Sequence, residues 1–167
     1  INPKYLRHSQ MHQKISLLFA LIEFEQFGSE YMSHMIHCAN YLGKVLASYG
    51  LDVADVDGKI SSTHQIFIRT SKNTMETIYD NAYKCGVTLN KKTKKLFYGY
   101  GIRLGSQEIA RYDWNDACMD TIAQVISLLA EPEADIDGIK KIIDSMPVKQ
   151  LKYTFTPEQV KPFFELM

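Results

Sequence analysis

The pattern of hydrophobic residues predicts an α+β fold: a small, mainly antiparallel sheet covered on one face by helices, preceded by a long helical segment and followed by a helical tail. Three observations lead there. Apolar residues in the first third recur at helical spacing. The middle holds short β-branched and aromatic runs separated by one helical pattern. A helical pattern returns from Asp113 and persists, with one linker, to the end.

Each element has its own signal. His12 to Phe27 is a dense apolar segment without Gly or Pro. Gly28 and Ser29 interrupt it, and Ser29 is suited to cap a second helix. Met32, Met35, Ile36, Ala39, Leu42, Val45 and Leu46 then share a face until Gly50. This predicts a helical pair or one kinked helix, with surplus apolar surface along Ile15 to Phe27. Gln65 to Ile68 reads as a strand, and Met75, Ile78, Tyr79 and Ala82 as one face of a helix stopped by Gly86. Gly86 to Asn90 and Tyr98 to Leu104 read as two further strands. Met119, Ile122, Ala123, Ile126 and Leu129 mark a helix, and Ile136 to Met146 a shorter one after the linker Ala130 to Glu133. Thr156-Pro157-Glu158-Gln159 has the form of a capping box with Pro at the first helical position, so a last short helix starts there. The expected divisions are residues 1–50 (helical segment), 51–149 (small α+β domain) and 150–167 (tail).

The chain has 167 residues, with 19 Lys plus Arg balanced by 19 Asp plus Glu. That length can bury a core, and 46% hydrophobic with 23% charged residues is a globular composition. Zero net charge argues against a polyanion binder, so neither a nucleic-acid nor a membrane partner is expected. The longest apolar stretch, Ile15 to Ile22, is too short to span a bilayer. Cys38, Cys85 and Cys118 form no CxxC, which excludes a zinc ribbon or thioredoxin-type site and fits a reduced, cytoplasmic compartment. The chain begins at Ile1, without a basic segment leading into an apolar one, so it does not read as an uncleaved secretory precursor; a processed chain and a fragment are both open.

Several groups could carry chemistry. His8 with His12, and His34 with His37, have the spacing for one helix face, but two ligands do not make a metal site, and hydrogen-bonded histidines are the simpler expectation. Lys91, Lys92, Lys94 and Lys95, near Tyr98 and Tyr100, could meet phosphate or RNA; a solvated loop explains them as well. Gly99 to Gly105 has GxGxxxG spacing, not the dinucleotide GxGxxG. Ser61 to Gln65 loosely resembles a Thr-Thr-His-Lys segment, but Gln65 cannot form an imine. Most informative is Arg103. With Ile102 and Leu104 facing the core, a strand turns Arg103 to the opposite face. There it either pairs in a structural salt bridge or holds an anion, and its planar fork suits a carboxylate.

Gly101-Ile102-Arg103-Leu104-Gly105-Ser106 resembles the GIR(I/L)GT segment of serine hydroxymethyltransferases. Cys85 to Thr93 resembles their AGITVNKNT, Thr63 to Ile68 their NHLVLV strand, Asp116 to Leu129 the helix after the arginine, and Ile139 to Pro147 their last helix. The resemblance covers almost the whole chain. It implies the carboxy-terminal part of a fold type I pyridoxal 5'-phosphate enzyme and a homodimer. It also implies that Arg103 binds the α-carboxylate of an amino-acid substrate. The Schiff-base lysine and the large cofactor domain have no counterpart here, so the chain alone is expected to be inactive. The family's paired phosphate-reaching glycines would fall near Arg7 to Gln10, where Arg7 or Ser9 is the candidate substitute. The stretch from Asn90 to Gly101 is short and lacks the family's proline-containing loop by the folate, which leaves folate dependence open. Gln107 to Arg111 replaces the usual Pro-Ala-Leu-Thr-Thr. Hydroxymethyl transfer, an aldolase or transaldolase reaction, and transamination all stay open. A free-standing anion-binding module that uses Arg103 and the Lys91–Lys95 loop is the rival of another class, and an RNA-binding module ranks last.

Overall fold

Helix α1 runs from Met11 to Ser48 without a break. Gly28 therefore does not divide it into a pair. A glycine inside a helix costs about 1 kcal/mol against alanine, which neighbouring turns can absorb. The computed structural model describes residues 10–93 and 99–165. After α1 come β1 (Asp52–Val53), β2 (Gln65–Thr70), α2 (Lys72–Lys84), β3 (Asn90–Lys92), β4 (Tyr100–Gly105), a 3-10 turn (Ile109–Arg111), α3 (Asp116–Leu129), α4 (Ile136–Asp144) and α5 (Pro157–Glu165). The chain divides into two compact units, Ile1–Met32 with Tyr153–Met167, and Ser33–Lys152.

In the larger unit the four strands lie in the order β1-β2-β4-β3, and every pairing is antiparallel. Alternation sends Ile66, Ile68 and Ile102 to one face, where none is more than 1% exposed. Against them pack Ala39, Leu42 and Leu46 of α1, Met75, Ile78 and Ala82 of α2, and Ala123, Ile126 and Leu129 of α3. Each fully buried aliphatic side chain stabilises such a core by roughly 1.5–3 kcal/mol. Buried Asn81 is satisfied: its Nδ2 donates to the carbonyls of Leu129 (3.1 Å) and Glu131 (3.2 Å), groups that the end of α3 leaves without helical partners.

The boundaries follow from caps and turns. Ser71 accepts from the Thr74 amide at the start of α2, and Gly86, at φ 74°, ends it in the left-handed region. The Val87 amide bonds back to Ala82 O (2.8 Å), so this stretch closes the helix and the strand begins only at Asn90, not at Gly86. Similarly, the Asp113 amide is taken by Gln150 O, and α3 starts after its cap Asn115 rather than at Asp113.

In the smaller unit the capping box is reciprocal. The Thr156 amide donates to Gln159 Oε1 (2.9 Å), and the Gln159 amide to Thr156 Oγ1 (3.3 Å). The rings of Phe27 and Phe155 meet at 5.3 Å and those of Tyr31 and Tyr153 at 5.9 Å. Thr154 Oγ1 donates to the Glu23 carboxylate. Along α1 in the same unit, Leu17, Leu18, Leu21 and Phe24 are 60%, 55%, 59% and 57% exposed, a row of apolar residues at helical spacing.

Candidate functional site

Strand β4 carries Arg103 into the middle of the sheet. It is in register with Phe67 of β2 on one side and Asn90 of β3 on the other. Residues opposite one another in antiparallel strands project from the same face. Phe67, Arg103 and Asn90 therefore form a row on the face away from Ile102 and the helices. Arg103 is half-buried, and among the described residues its guanidinium has no hydrogen-bond or ion-pair partner. Arg69, on the same strand face two residues from Phe67, differs: its guanidinium lies 2.9 Å from Asp52 Oδ1. The sheet thus neutralises one arginine internally and, among the described residues, gives the other no ion-pair partner.

Arg103 lines a cleft of about 400 Å³, with polar neighbours His64, Gln65, Asn90 and Gln107. Aliphatic side chains, among them Leu42, Leu104 and Ile122, line the rest.

Ser106 holds the end of β4 in place, a role that sequence reasoning did not single out. It is fully buried. Its amide donates to His64 O (2.9 Å), and its hydroxyl lies within reach of Met35 O (2.9 Å) and His64 O (3.3 Å). Its own carbonyl accepts from the Ala110 amide (2.9 Å). The 3-10 turn is held further by His34 Nδ1, which donates to Ala110 O at 3.2 Å. The signal in the sequence was a small hydroxyl residue directly after a glycine that ends a strand.

The other candidates lie elsewhere. His34 is engaged with Ala110, and His37 Nε2 meets Asp116 Oδ1 at 2.8 Å, so this pair ties α1 to the turn and to α3. Among the described residues no cluster of three or more His, Cys, Asp or Glu side chains could hold a metal ion. Lys91 Nζ lies 2.6 Å from Glu76 Oε2 and 4.0 Å from the centre of the Tyr79 ring. That hydrogen bond to Glu76 raises its pKa. Lys92 faces the other way, by strand alternation. Arg7, Ser9, His8, Lys94, Lys95 and Tyr98 lie outside the described residues. The three cysteines are free and buried. No described helix is long and apolar enough to cross a membrane.

No protein-family profile matches the chain. Individual proteins do. A serine hydroxymethyltransferase of Pyrobaculum islandicum is 28% identical over 148 residues, 83% of this chain and 33% of that enzyme. One from Saccharolobus islandicus is 23% identical over 167 residues, covering 93% of this chain and 38% of the relative. An L-threonine:uridine-5'-aldehyde transaldolase of Amycolatopsis is 30% identical over 121 residues, 69% of this chain and 29% of that protein. The chain thus spans about a third of the length of the curated relatives it matches. Among solved structures, L-threonine transaldolase from Pseudomonas fluorescens, in its internal aldimine state, superposes with a TM-score of 0.70 at 22% identity. It covers 88% of this chain and 36% of its own. In sequence and in fold, the chain is similar to the carboxy-terminal part of serine-hydroxymethyltransferase-like enzymes, the pyridoxal-phosphate enzymes of fold type I.

Proposed function

We propose that this chain is the carboxylate-binding, carboxy-terminal domain of a longer pyridoxal-phosphate-dependent enzyme that acts on a small amino acid, with Arg103 receiving the substrate α-carboxylate. The observation that carries this is the guanidinium of Arg103: half-buried on the open sheet face, beside a cleft, and without an internal partner among the described residues. An arginine held this way loses little further entropy when a planar carboxylate docks on its fork.

The cleft does not by itself fit the cofactor. Imine formation with an aldehyde needs an amine, and among the described residues no lysine and no carboxylate lines the cleft. In this reading the lysine belongs to another part of the longer protein, and the chain alone neither holds pyridoxal phosphate covalently nor turns over substrate. The exposed row Leu17, Leu18, Leu21 and Phe24 supports the same picture, as a surface that other parts of the protein cover. A homodimer in the cytoplasm belongs to this reading too. The transaldolase relatives and the short connection from Asn90 to Gly101 favour a transaldolase or aldolase reaction over folate-dependent hydroxymethyl transfer.

The test is Arg103→Ala in the product of the whole reading frame. Two charge-assisted hydrogen bonds contribute about 3 kcal/mol or more together, so amino-acid affinity should fall roughly 100-fold. Cofactor content should not change. Unaltered affinity for glycine, serine and threonine would sink the assignment.

A further inference from the structure

Strand register fixes which residues share a sheet face with Arg103. On β2 they are Phe67 and Gln65, which pair with Arg103 and Gly105. On β3 it is Asn90, the other partner of Arg103. Gly105 follows Arg103 by two residues in β4, so a side chain there would leave from this same face, about 7 Å along the strand. That place is already occupied. A Cβ on Gly105 would meet the side-chain amide of Gln107, with Cδ at 3.1 Å, Nε2 at 3.2 Å and Oε1 nearest. Ser106 is pinned by its amide bond to His64 O (2.9 Å), and Gln107 folds its side chain back over the glycine. The carboxamide thus lies beside Arg103 on the open face, and both residues line the same cleft. Any larger residue at position 105 would push the amide away. Gln107 also stands where the resemblance places a proline, which carries no side-chain donor.

We infer that Gln107 is a second ligand of the carboxylate that Arg103 receives, donating through its side-chain NH2 from above Gly105. The inference rests on the reading of Arg103 as a carboxylate ligand and adds a residue that the family motif lacks. A carboxylate offers about four lone-pair sites, of which a guanidinium fork takes two. A half-turn of the terminal torsion presents the NH2 end of the amide to one of the others. A neutral donor brings no further positive charge, so the ammonium group of an amino acid meets no repulsion from it. Held from two directions, the carboxylate cannot swing about the guanidinium, and the position of the α-carbon is set.

The test uses the product of the whole reading frame and reads amino-acid affinity beside the thermal midpoint. Gln107→Ala should weaken glycine and serine binding about tenfold and leave the midpoint within a few degrees. Gln107→Glu keeps the shape but sets a negative charge beside the bound carboxylate, and should weaken binding further. Gly105→Ala should displace the amide and match Gln107→Ala in its loss of affinity. In the Gln107→Ala background it should add little, because the group it displaces is gone. Fully additive losses, or unchanged affinity in Gln107→Ala while Arg103→Ala shows its full loss, overturn this inference and leave the reading of Arg103 in place. Unchanged affinity in both Gln107→Ala and Arg103→Ala overturns both.

Discussion

The hydroxyl of Ser106 lies 2.9 Å from the main-chain oxygen of Met35, which ties the end of β4 to α1 at a fully buried point. The same residue meets His64, just before β2, through its amide. Arg103 sits three residues upstream, so the strand that presents the guanidinium is anchored here. Ser106→Ala removes one buried hydrogen bond and should lower unfolding free energy by about 1 kcal/mol, measured by urea denaturation. Binding of a carboxylate probe should weaken in parallel, because β4 is freed at one end. A variant as stable as the parent and with unchanged binding would show that Ser106 anchors nothing.

The row Leu17, Leu18, Leu21 and Phe24 makes a second prediction. These side chains lie more than half exposed on α1, and replacing them by serine removes little buried area. The combined Leu17→Ser, Leu21→Ser, Phe24→Ser variant should keep its thermal midpoint within a few degrees. It should also lose the self-association and apolar-dye binding expected of the parent chain. A sharp drop in the midpoint would mean that the row packs internally.

The third prediction concerns pH. Burial, reinforced by the Asp116 carboxylate, pushes the Cys38 thiol up from 9.0 to about 11. The folded chain therefore keeps this proton where the unfolded chain has released it. The stability contribution is fully present below pH 9, the unfolded value, and is lost as pH rises through about 11. Denaturation midpoints should fall across that window, and Cys38→Ala should flatten this part of the profile. Alkylation of Cys38 in the native chain should be slow at pH 8, because the thiolate is the reactive form.

The local signals in the sequence were reliable where a single residue type settles the geometry. The capping box at Thr156 formed as its spacing implied, and Gly86 ended α2. The helix cover on one sheet face was legible in Ile66, Ile68 and Ile102, and so was the turning of Arg103 to the other face. Other signals admitted more than one outcome. Gly28 left open a helical pair or one kinked helix, and α1 runs through it as one helix. Val87 has strand propensity, but its amide closes the preceding helix. The two-residue β1 carries too short a pattern to read. Ser106 is one of many serines until its contacts with Met35 and His64 are known.

By itself the sequence determined the α+β order, the period of each element, and the presence of a lone arginine between core-facing residues. These are local properties, set by backbone sterics and by which side chains avoid water. Only the tertiary structure decided which cations are already satisfied. Arg69 and Lys91 find Asp52 and Glu76, whereas Arg103 finds no carboxylate among the described residues. Ion pairing depends on distances of a few ångströms between residues far apart in the chain, and no periodicity encodes those distances. They separate the arginine that has no ion-pair partner among the described residues from the two cations bound into the scaffold.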